Sequence, residues 1–153
     1  IIEHITYNKL DSTYDTSIFT ETKLNGQLGK NAIQVNKHLY DYLVYDSNTE
    51  RDFVKELDVQ KEVAVYVKLP GGFSINTPVG DYNPDWAIAF HEGKVKHIFF
   101  IAETKGDLST LQFREVESLK IHCAREHFKA ISNDKVKYDV VHSYNDLLDR
   151  VMK

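Results

Sequence analysis

Two apolar segments separated by four residues constrain the fold of this chain more than any other feature. Trp86–Phe90 and Val95–Ala102 are rich in strand-forming residues, and the glycine-containing turn between them predicts a β-hairpin. Asp85 immediately precedes the first segment and Glu103 immediately follows the second, so the hairpin would set them opposite each other. Because side chains alternate between the two faces of a strand, Lys105 shares the face of Glu103. The pattern therefore predicts two carboxylates and an ammonium at one end of a sheet.

Charged groups at the end of an apolar hairpin favour a metal site. A charge that interrupts a buried strand loses its hydration, and it is retained mainly where a metal or a counter-charge meets it. Asp85 and Glu103 offer hard oxygen ligands, which suit Mg²⁺ or Mn²⁺ better than zinc. Lys105 could orient a water of that cation or stabilise charge on a phosphate. A lone Pro-Asp pair is often only a turn and a lone Glu-x-Lys is often an exposed ion pair, but neither explanation accounts for both.

The motifs around these residues are similar to those of a known nuclease superfamily. Pro84-Asp85 followed by Glu103-Thr104-Lys105 resembles the PD-(D/E)xK pattern. A longer set of segments, from about residue 42 to about residue 141, resembles the C-terminal endonuclease region of the Res subunit of type III restriction enzymes. These segments are Tyr66–Pro70, Thr77–Ile88, Glu103–Gly106 and Lys120–Ala124.

The resemblance implies a site-specific endodeoxyribonuclease that hydrolyses double-stranded DNA with Mg²⁺, for which Mn²⁺ is expected to substitute. It carries Asp85, Glu103 and Lys105 over as catalytic residues. It also implies that Asp85, Glu103 and the main-chain carbonyl of Thr104 bind the metal. The implied partners are DNA, a modification (methyltransferase) subunit and an upstream helicase-like motor driven by ATP. We expect ATP to bind that motor, because this chain lacks a Gly-x-x-x-x-Gly-Lys-Ser/Thr phosphate loop.

Two further residues have competing interpretations. Glu50 follows Ser47 by three residues, which predicts a capping box at a helix N-terminus. The resemblance offers a second role for Glu50, because a glutamate on the first core helix often faces the metal site. Lys120 lies on a predicted helix whose mixed charges usually mark only a solvated face. The resemblance places a lysine near this point, where it would contact the scissile phosphate or a metal-bound water.

The remaining pattern predicts an α/β fold with elements in the order helix, three strands, helix and strand. This order is similar to the restriction-endonuclease-like core, and the resemblance implies a mixed central sheet flanked by helices. We expect residues 1–37 to be a lead-in or linker and residues 38–153 to be the nuclease domain. The predicted elements are a strand at 39–45, a helix from Ser47 to Leu57, a strand with Val63, Val65, Val67 and Leu69 on its apolar face, a helix at 109–131, a strand at 136–141 and a helix at 144–151.

Composition limits the remaining classes of function. With 153 residues the chain is large enough for one domain, and its single cysteine, Cys123, fits a buried thiol in a reducing compartment. The net charge of −4 argues against a strongly basic DNA binder and suggests that this piece holds DNA weakly by itself. Without an apolar run or a basic leader, we expect a soluble, cytoplasmic protein. Because the chain starts at Ile1, we expect it to be part of a longer protein.

Two functions are alternatives to a type III restriction nuclease. One is a repair or recombination nuclease of the same fold, and the other is a domain that docks DNA or a partner without cutting.

Overall fold

The computed structural model describes residues 6–7, 26–70, 73–93, 95, 97, 99–104, 111–131 and 136–152. It shows an α/β domain with a mixed four-stranded sheet flanked by helices, so the predicted fold class is confirmed. The elements in chain order are β1 (Ala32–Gln34), β2 (Tyr42–Val44), α1 (Asn48–Leu57), β3 (Val63–Lys68), β4 (Trp86–Phe90), β5 (Phe99–Thr104), α2 (Leu111–Ile131), β6 (Val136–Val141) and α3 (Tyr144–Met152).

The main sheet has the strand order β3-β4-β5-β6. β4 runs antiparallel to both β3 and β5, whereas β5 and β6 are parallel. A parallel pair needs a long crossover, and α2 provides it. β1 and β2 form a separate antiparallel ribbon. β2, at Tyr42–Val44, is shorter than the strand predicted at 39–45.

Helices pack on both faces of the sheet, because successive side chains of its strands point to opposite faces and both faces carry apolar residues. On one face, Trp86, Ile88 and Phe100 pack with apolar residues of α1 and α3 in the larger core. On the other face, Phe128 of α2 packs with Tyr138 of β6 and belongs to a smaller cluster. Glu103 alternates with residues of the larger core, so its side chain lies on the α2 face.

The capping signal at the start of α1 is confirmed. The Ser47 side chain accepts a hydrogen bond from the Glu50 backbone N–H at 3.1 Å, which satisfies one of the otherwise unpaired donors of the first turn. Phe53, Val54 and Leu57 are buried, as expected for the inward stripe of an amphipathic helix.

The single apolar face predicted for β3 is wrong, because Val63 lies on the opposite face from Val65 and Val67, although Val67 is itself buried. The pairing of β3 with β4 shifts register between Val63 and Val65, as a β-bulge does. Val63 and Tyr66 are both buried, whereas Val65 is 38% exposed. The extra residue moves the later side chains to the opposite face, so Tyr66 and Lys68 point toward α1. A local hydrophobic pattern could not reveal this shift.

The predicted start of the next strand at Val95 is also wrong. β5 begins at Phe99, which pairs with Ala89. Before it, the His97 N–H donates to the carbonyl of Val151 at 3.2 Å, so His97 contacts α3. The connection between the two strands is therefore longer than a four-residue turn.

Three further observations concern the helices. Cys123 is fully buried, which confirms the interpretation of a buried thiol. Val116 of α2 is 39% exposed. Among the described residues, no helix is long and apolar enough to cross a membrane.

Candidate active site

Asp85 is held at the start of β4 by both of its neighbouring strands. Its backbone carbonyl accepts a hydrogen bond of 2.7 Å from the Leu69 N–H, just beyond β3. Its side-chain Oδ2 accepts two more, from the Thr104 N–H at 2.9 Å and from the Thr104 hydroxyl at 2.8 Å. Pro84, directly before it, is fully buried and fixes the backbone at the entry to the strand. The carboxylate is therefore oriented by the end of β5.

Thr104 in turn is fixed by the indole of Trp86. The Trp86 Nε1–H donates to Thr104 Oγ1 at 3.3 Å, and Trp86 itself is fully buried. Because the Thr104 hydroxyl accepts from the indole, its own proton is available for the Asp85 carboxylate. A chain of donors thus runs from the larger core to Asp85.

Glu103 is a buried carboxylate, only 4% exposed. Its Oε2 accepts a hydrogen bond of 2.9 Å from the Tyr82 hydroxyl, which lies 2.7 Å from the Tyr138 hydroxyl. Burial, reinforced by the negative charge of Glu103, raises the pKa of the Tyr82 hydroxyl far above its ordinary value. Burial also raises the pKa of Tyr138. Both phenols therefore keep their protons at neutral pH and remain able to donate.

The two carboxylates lie at the same end of the sheet. Trp86 pairs with Ala102 in the antiparallel register, and Asp85 and Glu103 are the next residues on each strand. Two carboxylates and the neighbouring Thr104 carbonyl make a set of hard oxygen donors of the type that Mg²⁺ and Mn²⁺ prefer. Taking a carboxylate out of water is costly unless it meets a cation or hydrogen-bond donors, so a divalent cation fits this donor set. The described residues contain no group of three or more His, Cys, Asp and Glu side chains suited to a metal.

Lys105, the third predicted catalytic residue, lies outside the described residues. It directly follows Thr104, the last residue of β5.

A family model described as an endonuclease domain matches residues 36–144, which is more than half of the chain. The chain belongs to this family. The match supports a restriction-endonuclease-like domain and indicates a nuclease. No curated protein and no solved structure matches the chain in the other two comparisons.

Glu50 of the endonuclease domain is engaged in an ion pair. Its Oε2 accepts from the Lys68 ammonium at 2.9 Å and from the Asp46 N–H at 3.0 Å. Lys68 also contacts Asp46 Oδ2 at 2.6 Å and donates to the Val44 carbonyl at 3.2 Å. The lysine is the last residue of β3 and pairs with Trp86, one residue from Asp85. Glu50 thus connects to the site through Lys68 and the sheet, and its accessory role stays a prediction.

The charge of Lys68 is maintained despite its burial. Burial alone would lower the pKa of Lys68, but hydrogen bonds and charge from Asp46 and Glu50 outweigh that effect and raise the pKa above its usual value. The ammonium therefore stays protonated, and it neutralises charge on the α1 face of the sheet.

Lys120 of the endonuclease domain lies against the turn that precedes Tyr82. A Cβ built on Gly80 would be 3.8 Å from both Cε and Nζ of Lys120. The Gly80 N–H donates to the Thr77 carbonyl at 3.2 Å, and the Thr77 hydroxyl donates back to the Gly80 carbonyl. Gly80 has a φ of 114°, which L side chains rarely adopt. The contact with phosphate or metal-bound water predicted for Lys120 remains untested.

Sequence reasoning assigned no role to three residues that the structure places around the site. Lys68, like Glu103, is a charged residue at the end of an apolar strand, so the same reasoning would have predicted it as a candidate site residue. No local pattern predicts that Tyr82 and Tyr138 contact each other, because they are 56 residues apart in the chain. Their contact depends on the packing of β6 beside β5.

Proposed function

We propose that this endonuclease domain cuts double-stranded DNA with Mg²⁺ as the restriction part of a type III enzyme. The observation that carries the proposal is the placement of Asp85 and Glu103 side by side at the ends of β4 and β5, in a chain of the endonuclease-domain family. The segments that resemble the Res subunit support the type III context.

Asp85, Glu103 and the Thr104 carbonyl would hold the cation. When bound, Mg²⁺ supplies Lewis-acid stabilisation of a phosphate oxygen and favours ionisation of water near neutral pH. The donors from Thr104 keep Asp85 in one orientation, and the Trp86 indole keeps the Thr104 hydroxyl in place. A fixed ligand set is valuable because loose ligands would have to be ordered in the transition state.

Lys105 would orient the attacking water and offset the charge that develops on the phosphate. The attacking water would lose a proton to solvent as its oxygen bonds to phosphorus. The bond from phosphorus to the leaving sugar oxygen would break, and a second solvent water would protonate that oxygen. Lys120 would contact a phosphate of the DNA from α2, as an ammonium does without reading sequence.

The whole enzyme would supply the DNA affinity that this chain provides only weakly. A net charge of −4 offers little affinity from counterion release. We propose that a methyltransferase subunit recognises the DNA and that an ATP-driven motor delivers it. Holding the DNA nearby raises its effective concentration at the site without any new contact in this domain.

Plasmid cleavage by the complete assembly tests the proposal. Asp85→Asn, Glu103→Gln and Lys105→Ala should each slow cutting by about 100-fold or more, since each removes transition-state stabilisation. DNA binding and ATP hydrolysis should stay close to wild-type values. Lys55→Ala, an exposed lysine of α1, is the matched control and should cut normally.

Two outcomes would contradict this proposal. Normal cutting by the Asp85 and Glu103 variants would place the nuclease centre elsewhere. Cutting by the isolated chain as fast as by the assembly would favour an autonomous repair or recombination nuclease instead.

A further inference from the structure

We infer that Tyr82 and Tyr138 are positioning residues that fix the Glu103 carboxylate for the divalent cation. The inference rests on the proposed function, because it concerns how the metal ligands are held. It assigns a role to two tyrosines on the α2 face of the sheet, where neither would touch the reacting atoms.

The direction of the hydrogen bonds follows from counting protons. An ionised carboxylate can only accept, so the single proton of the Tyr82 hydroxyl goes to Glu103 Oε2 at 2.9 Å. The Tyr82 oxygen is then the acceptor in its 2.7 Å contact with Tyr138. Tyr138 therefore donates to Tyr82, and Tyr82 donates to Glu103. Hydrogen bonds to an ionised acceptor are the stronger kind, and donation from Tyr138 strengthens the next one by polarisation.

Both tyrosines are held by rigid surroundings. The Tyr82 backbone is paired with Ile75 by two hydrogen bonds, of 2.8 and 2.9 Å. The Tyr138 ring stacks on Phe128 of α2, with ring centroids 5.1 Å apart and planes 13° from parallel. Both hydroxyls lie in the buried part of the molecule, so water does not compete for Glu103 at this point. The orientation of Glu103 is thus set by the packing of α2 on β6.

The consequence for the metal is a fixed oxygen. With Oε2 oriented by Tyr82, Glu103 would present its other oxygen, Oε1, to a cation shared with Asp85. Second-layer hydrogen bonds of this kind typically account for about 10-fold to 100-fold in metal affinity. A purely structural role would give a different result, because loss of a buried hydroxyl would then lower stability and leave metal affinity unchanged.

Mn²⁺ titration of the chain separates these roles. The dissociation constant is measured by calorimetry, or by the loss of the free Mn²⁺ electron-paramagnetic-resonance signal, for wild type, Tyr82→Phe and Tyr138→Phe. Tyr82→Phe should weaken binding about 10-fold, and Tyr138→Phe should weaken it less because Tyr82 still donates. The matched control is Tyr144→Phe in α3, which removes a hydroxyl that contacts the Glu62 carboxylate at 3.4 Å. This control should bind Mn²⁺ as wild type does.

Thermal melts of all variants accompany the titration, and Phe keeps the ring packing in each of them. Unchanged Mn²⁺ affinity in Tyr82→Phe, or an equal loss in Tyr144→Phe, overturns the inference. If Tyr82→Phe does not fold, the comparison of Tyr138→Phe with Tyr144→Phe decides in the same way.

Asp85→Asn and Glu103→Gln distinguish the failure of this inference from failure of the proposed function. If both abolish Mn²⁺ binding while Tyr82→Phe leaves it intact, only the positioning role is wrong. If Mn²⁺ binds equally well without these carboxylates, the proposed metal site fails, and the positioning role fails with it.

Discussion

Replacing Thr104 with valine should both destabilise the domain and loosen Asp85. Valine has nearly the shape of threonine, so the substitution removes the hydroxyl and little else. Thr104 is 8% exposed, and its hydroxyl lies between the Asp85 carboxylate at 2.8 Å and the Trp86 indole at 3.3 Å. The variant therefore removes the donor to Asp85 and the acceptor for Trp86 in one step.

The size of the loss follows from these two contacts. A hydrogen bond to a charged group contributes about 1.5–3 kcal/mol, and a buried donor left without an acceptor costs about 1–3 kcal/mol. Asp85 keeps the hydrogen bond from the Thr104 N–H, and the new methyl group gains about 0.8 kcal/mol of apolar burial. The net loss in the free energy of unfolding should therefore be about 2–5 kcal/mol. For a domain of this size that corresponds to a fall in Tm of roughly 4–20 °C.

Urea denaturation and calorimetry of the Thr104→Val and Thr104→Ser variants test this reasoning. Serine keeps the hydroxyl and loses a methyl group, so Thr104→Ser should cost only about 1 kcal/mol. The valine variant should also bind Mn²⁺ more weakly, whereas the serine variant should bind it nearly normally. If valine is as stable as wild type, or if serine is the worse of the two, the hydroxyl does not bridge Asp85 and Trp86.

Three further predictions concern the surroundings of the site. Lys68→Met should cost about 3 kcal/mol because it leaves Glu50 unpaired, and Glu50→Gln/Lys68→Met should recover much of that loss in a double-mutant cycle of urea unfolding. Burial alone would raise the pKa of Asp58, but hydrogen bonds from Lys37, Asn36 and Tyr66 lower it, so its stabilising effect is present above about pH 4 and lost as pH falls further. Asp58→Asn should therefore show a smaller loss of unfolding free energy between pH 6 and acid, as measured by denaturation at each pH. Lys120→Ala should weaken DNA binding by the assembly and reduce the salt slope by about one, and an unchanged slope would remove Lys120 from the DNA interface.

The local pattern of the chain was enough to predict the order of helices and strands, whereas the mixed sheet was expected from the resemblance to the nuclease superfamily. Alternation in Trp86–Phe90 and the apolar stretch before Glu103 gave two adjacent strands, and the Ser47 signal gave the start of α1. These features depend on residues close together in the sequence, where propensity and periodicity act directly. The faces of β5 followed from the same alternation.

Features that depend on pairing between distant elements could not be predicted. The bulge in β3 is set by its register against β4, so the hydrophobic pattern placed Val65 on the wrong face. The contact of His97 with α3, in which its N–H donates to the Val151 carbonyl, joins residues that are far apart in the sequence. The support for Glu103 comes from Tyr82 and Tyr138, which only the packed sheet brings together.

A crystal structure of the chain grown with Mn²⁺ tests the proposed metal site, because anomalous scattering locates the cation without reference to activity. We expect a peak at about 2.0–2.3 Å from a carboxylate oxygen of Asp85 and from one of Glu103. The Thr104 carbonyl should lie in the same coordination shell. A Mn²⁺ peak elsewhere, with both carboxylates making only protein hydrogen bonds, would rule out a metal site at Asp85 and Glu103.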